Sequence, residues 1–202
     1  MTLEDIAKKM CAKGKGILAA DESTGTIAKR FNGINVENTE INRLAFREAL
    51  FKSEAIKNYI GGIILFDETI RQKTSSGLSV PELIVKNGSI PGIKVDKGAK
   101  VLSGSPEETV TEGLDGLRDR LKEYYKLGAR FTKWRAVIKI TDNYPTVQCI
   151  KSNSHALARY AAMVQECNMV PIVEPEVLMD GSHDIDKCYN VTENLLNDCY
   201  EQ

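Results

Sequence analysis

The stretch that most constrains the fold is Met169–Glu176, MVPIVEPE, an apolar run that ends in two carboxylates two residues apart. Side chains alternate faces along a strand, so Ile172, Glu174 and Glu176 share one side while Val173 and Val177 take the other. Two acids at one end of a buried strand are costly unless that end opens into a pocket. The same design recurs along the chain. GILAADEST sets Ile17, Ala19 and Asp21 on one face, and GGIILFDET ends in Asp67 and Glu68. PGIKVDKG sets Lys94 and Asp96 on one face. RFTKWRAVIKI aligns Phe131, Lys133, Arg135 and Val137, with Trp134 and Ala136 opposite. Charged groups thus lie on faces that should be core, which suits parallel strands around one axis with chemistry at their C-terminal ends.

Between these strands the pattern turns helical. Leu3, Ile6 and Met10 mark an amphipathic helix over residues 3–12. Ser23 and Thr24 offer hydroxyls before a short helix at Ile27–Phe31, and Thr39–Phe51 reads as a helix with Ile41, Leu44, Ala45 and Ala49 in apolar spacing. QKTSSGLSVPE reads as a polar loop. Ser105-Pro106-Glu107-Glu108 predicts a helix start, a capping box with proline in the first turn, and that helix runs to Leu127. Further helices are expected at Ser154–Cys167 and about 185–200. Strands alternating with helices imply right-handed crossovers, a parallel sheet and a single domain over residues 1–202. Five such units fit either an open sheet or part of a closed eight-unit barrel.

With 42% hydrophobic residues the chain can bury a real core, and a net charge of −1 gives no field toward nucleic acid or membrane. No apolar run approaches the roughly 20 residues that span a bilayer. MTLEDIAKKM lacks the apolar centre of a signal peptide, and the five cysteines show no C-x-x-C spacing. Reduced thiols and a cytoplasmic location follow as expectations.

GKGILAADESTGTIAKR, the ENTEINR stretch, GGIILFDET, GIKVDKG, TEGLDGL, FTKWR, LARYA and VPIVEPE occur here in order. Together they resemble class I fructose-bisphosphate aldolases. The resemblance implies a (β/α)8 barrel of which about five units are present. It implies reversible cleavage of fructose 1,6-bisphosphate to dihydroxyacetone phosphate and glyceraldehyde 3-phosphate through a lysine Schiff base, with no metal or cofactor. It also implies a phosphosugar as the partner molecule and a homo-oligomer, tetrameric in the family. The family's Schiff-base lysine stands in a Leu-Lys-Pro-Asn-Met stretch, expected beyond Gln202.

By resemblance Glu174 is the acid/base that moves protons as the carbinolamine loses water, with Glu176 beside it; the plainer reading is a solvated strand end. Lys133 neutralises a phosphosugar and steers the imine chemistry, or is a surface lysine. Asp21 supplies the base for C–C cleavage and also caps the following helix. Lys94, Arg43 and Arg135 contact substrate phosphate, against ordinary ion pairing such as Lys94 with Asp96. Ser23 and Thr26 open a helix whose N–H groups suit phosphate. A non-catalytic phosphosugar-binding or scaffold protein derived from an aldolase is the rival reading. A metal-dependent aldolase is not expected, because His155 and His183 lack ligand spacing.

Overall fold

The structure, a computed structural model, describes residues 1–202. In chain order the elements are α1 (Leu3–Met10), β1 (Gly16–Ala20), α2 (Thr24–Asn32), α3 (Glu40–Phe51), α4 (Glu54–Tyr59), β2 (Ile60–Leu65), α5 (Asp67–Ile70), α6 (Val80–Lys86), β3 (Ile90–Lys94), β4 (Ala99–Leu102), β5 (Ser105–Thr111), α7 (Leu117–Lys126), β6 (Phe131–Ile138), α8 (Val147–Glu166), β7 (Val170–Val177) and α9 (Ile185–Glu201). Five strands form one parallel sheet in the order β1-β2-β3-β6-β7, with β4 and β5 apart as an antiparallel pair. Apart from the inserted β4–β5 pair, each strand of the sheet therefore lies beside the one before it, the winding of consecutive β/α units in a barrel.

The two faces of the sheet have different fillings. Outward residues Ala20, Ile63, Leu65, Ile93, Trp134 and Ala136 join Leu83, Leu121, Leu157 and Tyr160 of the helices in the main core. Inward residues Ile64, Ile90 and Phe131 pack instead with Ile6 and Met10 of α1, which closes the N-terminal end of the sheet. Close approach explains two glycines there. A Cβ on Gly92 would sit 2.2 Å from the Phe131 ring, and one on Gly61 would sit 2.3 Å from the Met10 carbonyl oxygen. The edge strands β1 and β7 leave Ile17 37% and Val173 40% exposed.

Four local expectations are corrected. Ser105–Thr111 is a strand paired with Ala99–Leu102, not the start of a long helix. Ser105 does donate to Glu108, at 2.7 Å, but Thr109, Val110 and Thr111 are β-branched and favour the ladder. Helix α8 begins at Val147, capped by Thr146, seven residues before the expected Ser154. The polar loop ends in the start of α6, whose Ser79 and Glu82 form the capping box. The buried side of α3 is Arg43, Arg47, Glu48 and Phe51, while Ile41 is exposed.

Candidate functional site

Three strands meet at one ammonium group. Lys133 Nζ lies 3.2 Å from Asp21 Oδ2 and 3.1 Å from Glu174 Oε2. Lys133 stands inward on β6, Glu174 inward on the neighbouring β7, and Asp21 directly after β1. β1 and β6 are separated in the sheet by β2 and β3, so the Asp21–Lys133 contact spans the concave face. The sheet must curl strongly to allow it. Lys133 and Asp21 are each 8% exposed, whereas the Glu174 side chain is about one-third exposed. Burial by itself would lower the Lys133 pKa. Asp21 and Glu174 outweigh it and hold the ammonium above the ordinary lysine value.

Asp21 does not cap the next helix. Ser23 does, accepting the Thr26 amide at 3.3 Å, with the two hydroxyls 3.0 Å apart. The division follows from position: Asp21 still has the inward orientation of β1, and only Ser23 has reached the helix entrance. Ser23 and Thr26 thus place the first turn of α2 just after Asp21.

The remaining residues flank this centre. Arg135 pairs with Glu176 further along the same two strands. Lys94 is in register with Lys133 and lies 3.4 Å from Asp96, whose side chain also accepts the Gly98 amide. Two adjacent cations repel; here each has its own carboxylate. Arg43 is not brought to the group. Its guanidinium donates to both oxygens of Glu68, at 2.8 and 2.6 Å, and to the Asn38 carbonyl.

Two supporting residues were missed in the sequence. Tyr160 of α8 is completely buried, and its hydroxyl lies 2.6 Å from Thr132 and donates to the Ile172 carbonyl at 3.2 Å. It clamps β6 to β7 behind Lys133, and burial pushes its pKa up. Arg47 is also fully buried, between Glu22 after β1 and Thr69 of α5 after β2. Its four-residue spacing from Arg43 was the available signal.

No group of three or more His, Cys, Asp or Glu side chains is placed to hold a metal ion. A groove of about 890 Å³, bordered by Lys86, Pro91 and Arg130, contains none of the candidate residues. The site itself is an open concave surface where one buried and one partly exposed carboxylate, with an ammonium between them, can bind polar hydroxyls and exchange protons. Its outer cations suit anions.

Residues 2–202 match the family model described as fructose-bisphosphate aldolase class-I. A protein of Xanthomonas campestris pv. campestris named "Probable fructose-bisphosphate aldolase class 1" is 60% identical over 204 residues, covering 99% of this chain and 61% of that protein. "Fructose-bisphosphate aldolase 4, cytosolic" of Arabidopsis thaliana is 60% identical over 93% of this chain and 48% of its own length. A solved structure of Plasmodium falciparum fructose-bisphosphate aldolase, in complex with TRAP and a small-molecule inhibitor, superimposes with a TM-score of 0.96 at 48% identity. It is covered over 58% of its chain and covers 98% of this one. The chain thus spans about three-fifths of the length of the first curated relatives it matches.

Proposed function

Because the chain belongs to the class I fructose-bisphosphate aldolase family, we propose that it contributes the acid–base part of a site that cleaves fructose 1,6-bisphosphate to dihydroxyacetone phosphate and glyceraldehyde 3-phosphate. The observation that carries this reading is the Lys133 ammonium held between Asp21 and Glu174. The reaction needs a proton taken from a sugar hydroxyl as the C–C bond breaks, and protons moved as a carbinolamine loses water. Asp21, buried against Lys133, is the base for the hydroxyl. Glu174 is open enough to reach a substrate and moves the carbinolamine proton. Lys133 supplies fixed positive charge where oxygen anions develop.

The phosphates fall to the outer groups. Lys94 and Arg135 exchange Asp96 and Glu176 for phosphate oxygens, and the first turn of α2, at Ser23 and Thr26, receives one end of the sugar. Arg43 enters this role only by leaving Glu68. The Schiff-base lysine is a different residue, since Leu-Lys-Pro-Asn-Met occurs nowhere in residues 1–202. The same reading makes the protein a cytoplasmic homo-oligomer, tetrameric as in the family. One relative is named a cytosolic aldolase, and no helix is long and apolar enough to cross a membrane.

Two measurements test the proposal. Calorimetric titration with fructose 1,6-bisphosphate should show binding that Lys133→Met and Arg135→Met weaken; unchanged affinity in both would reject the site. Borohydride added with dihydroxyacetone phosphate should leave every lysine of residues 1–202 unlabelled. A stable adduct on Lys133 would replace the acid–base role with that of the nucleophile. The non-catalytic phosphosugar-binding reading is favoured by the same cations and separates from the first by turnover: it allows binding without release of dihydroxyacetone phosphate.

A further inference from the structure

Arg47 stands in the middle of α3, with its side chain completely buried. One terminal nitrogen donates to the Glu22 backbone carbonyl at 2.6 Å, and the other donates to the Thr69 hydroxyl at 2.7 Å. The Glu22 and Glu68 carboxylates lie 3.7 and 3.9 Å away, and the guanidinium carbon is 5.9 Å from the centre of the Phe66 ring. Its Nε has no partner. A buried, incompletely bonded arginine is a poor choice for stability alone, since well-packed apolar residues do as well or better.

Its place in the fold gives a different reason. The ladder between β1 and β2 ends at the pair Ala20–Leu65. Asp21 and Glu22 lie beyond it, directly after an edge strand with a neighbour on one side only. Arg47 joins the Glu22–Ser23 peptide, one residue past Asp21, to Thr69, beyond the end of β2, and so continues the tie where the backbone ladder stops. Glu22 is held from a second helix as well, because its other carboxylate oxygen accepts from Arg30. The Asp21 carboxylate, by contrast, has one partner, Lys133.

We infer that Arg47 is a positioning residue that fixes the Asp21–Glu22 backbone and so sets the Asp21 carboxylate against Lys133. No hydrogen bond or ion pair joins it to Lys133 itself. The inference deepens the aldolase reading, which supplies the use of Asp21; the geometry it asserts stands without substrate.

The test is competitive acetylation of lysines in the intact protein, read by mass spectrometry across alkaline pH. Losing the Asp21 contact frees the Lys133 amine from its proton more readily, and one pKa unit corresponds to about tenfold in labelling rate. Arg47→Met should therefore accelerate Lys133 labelling by about tenfold, as Asp21→Asn does, and the double variant should label no faster than either single one. Exposed Lys57 and Lys122, labelled in the same sample, report any general loss of fold. Should Arg47→Met not fold, Arg47→Lys carries the test: it keeps the buried charge without the two-pronged fork, and its rate should fall between wild type and Asp21→Asn. Wild-type labelling of Lys133 in the folded variant overturns the inference, as do effects of Arg47 and Asp21 that simply add. Labelling requires no phosphosugar, so failure of the aldolase reading would leave this result standing, and the reverse also holds.

Discussion

Arg135 and Glu174 face each other in register across β6 and β7, yet they are not partners: Arg135 bonds to Glu176, and Glu174 bonds to Lys133. Lys133 itself is in register with Ile172. Each cation therefore reaches diagonally to the carboxylate one pleat further on, a distance long side chains span easily. The diagonal gives the two acids separate partners and separate surroundings. Glu174 is drawn to the buried ammonium, and Glu176 to the open guanidinium.

That separation predicts unequal effects. In protein that cleaves fructose 1,6-bisphosphate, Glu174→Gln should lower turnover by about 10²–10⁴-fold, the usual worth of a general acid or base. Affinity should change little. Glu176→Gln should act mainly on phosphosugar affinity, through Arg135. Steady-state kinetics of both variants decide the point, and near-normal turnover in Glu174→Gln would move the proton-transfer role to Glu176.

Lys133 predicts a pH dependence. Burial opposes its charge, but Asp21 and Glu174 raise its pKa in the folded chain above the ordinary 10.5. The folded state thus holds this proton more tightly than the unfolded state. The resulting stability is complete below the ordinary value and is lost as pH climbs through the folded one. Urea unfolding at about pH 9 and about pH 11 should show wild type losing more stability than Lys133→Met. Equal losses would mean that the ammonium gains nothing from its two acids.

Gly92 and Phe131 predict a size exchange. Phe131 is fully buried, and its ring occupies the space a Gly92 side chain would need. Gly92→Ala should destabilise by about 1–3 kcal/mol, the range for overpacking. Adding Phe131→Leu should recover part of that loss, since the two changes share one volume. Additive losses in denaturant unfolding would show that the strain lies in the backbone instead.

The sheet edges predict association. β1 and β7 each leave one row of N–H and C=O groups without a strand partner, and their sides expose Ile17 and Val173. Such edges pair with other chains. The 202-residue polypeptide on its own should sediment as oligomers or aggregates and unfold with a low m-value. A soluble monomer with a steep, single transition would refute this.

Much of this architecture was legible because alternation along a strand is a strong signal. Ile172, Glu174 and Glu176, Lys133 and Arg135, and Ala19 and Asp21 all share the faces their spacing implied. What failed was local competition between equally plausible signals. Ser105-Pro106-Glu107-Glu108 has the form of a helix start, and Ser105 does bond to Glu108, yet the following Thr109–Thr111 pairs with Ala99–Val101, a strand too short to show an alternation of its own. On α3, apolar spacing pointed to Ile41, whereas the chain buries Arg43 and Arg47 because carboxylates and carbonyls await them. Partners contributed from distant segments leave no mark in a local window.

Lys133 and Asp21 are 112 residues apart in the chain. Their contact forms only when β6 has taken its place beside β3 and the sheet has curved far enough to bring β1 opposite. Until then Asp21 stays hydrated, and no local element rewards its burial. Contacts of such long range form slowly, because chain closure must precede any gain. In a polypeptide emerging from the ribosome, the anion is made long before its counter-ion. The ion pair at the centre of the candidate site is therefore among the last parts of the molecule to come into being, and a chain stalled midway through synthesis would carry strands and helices but no site.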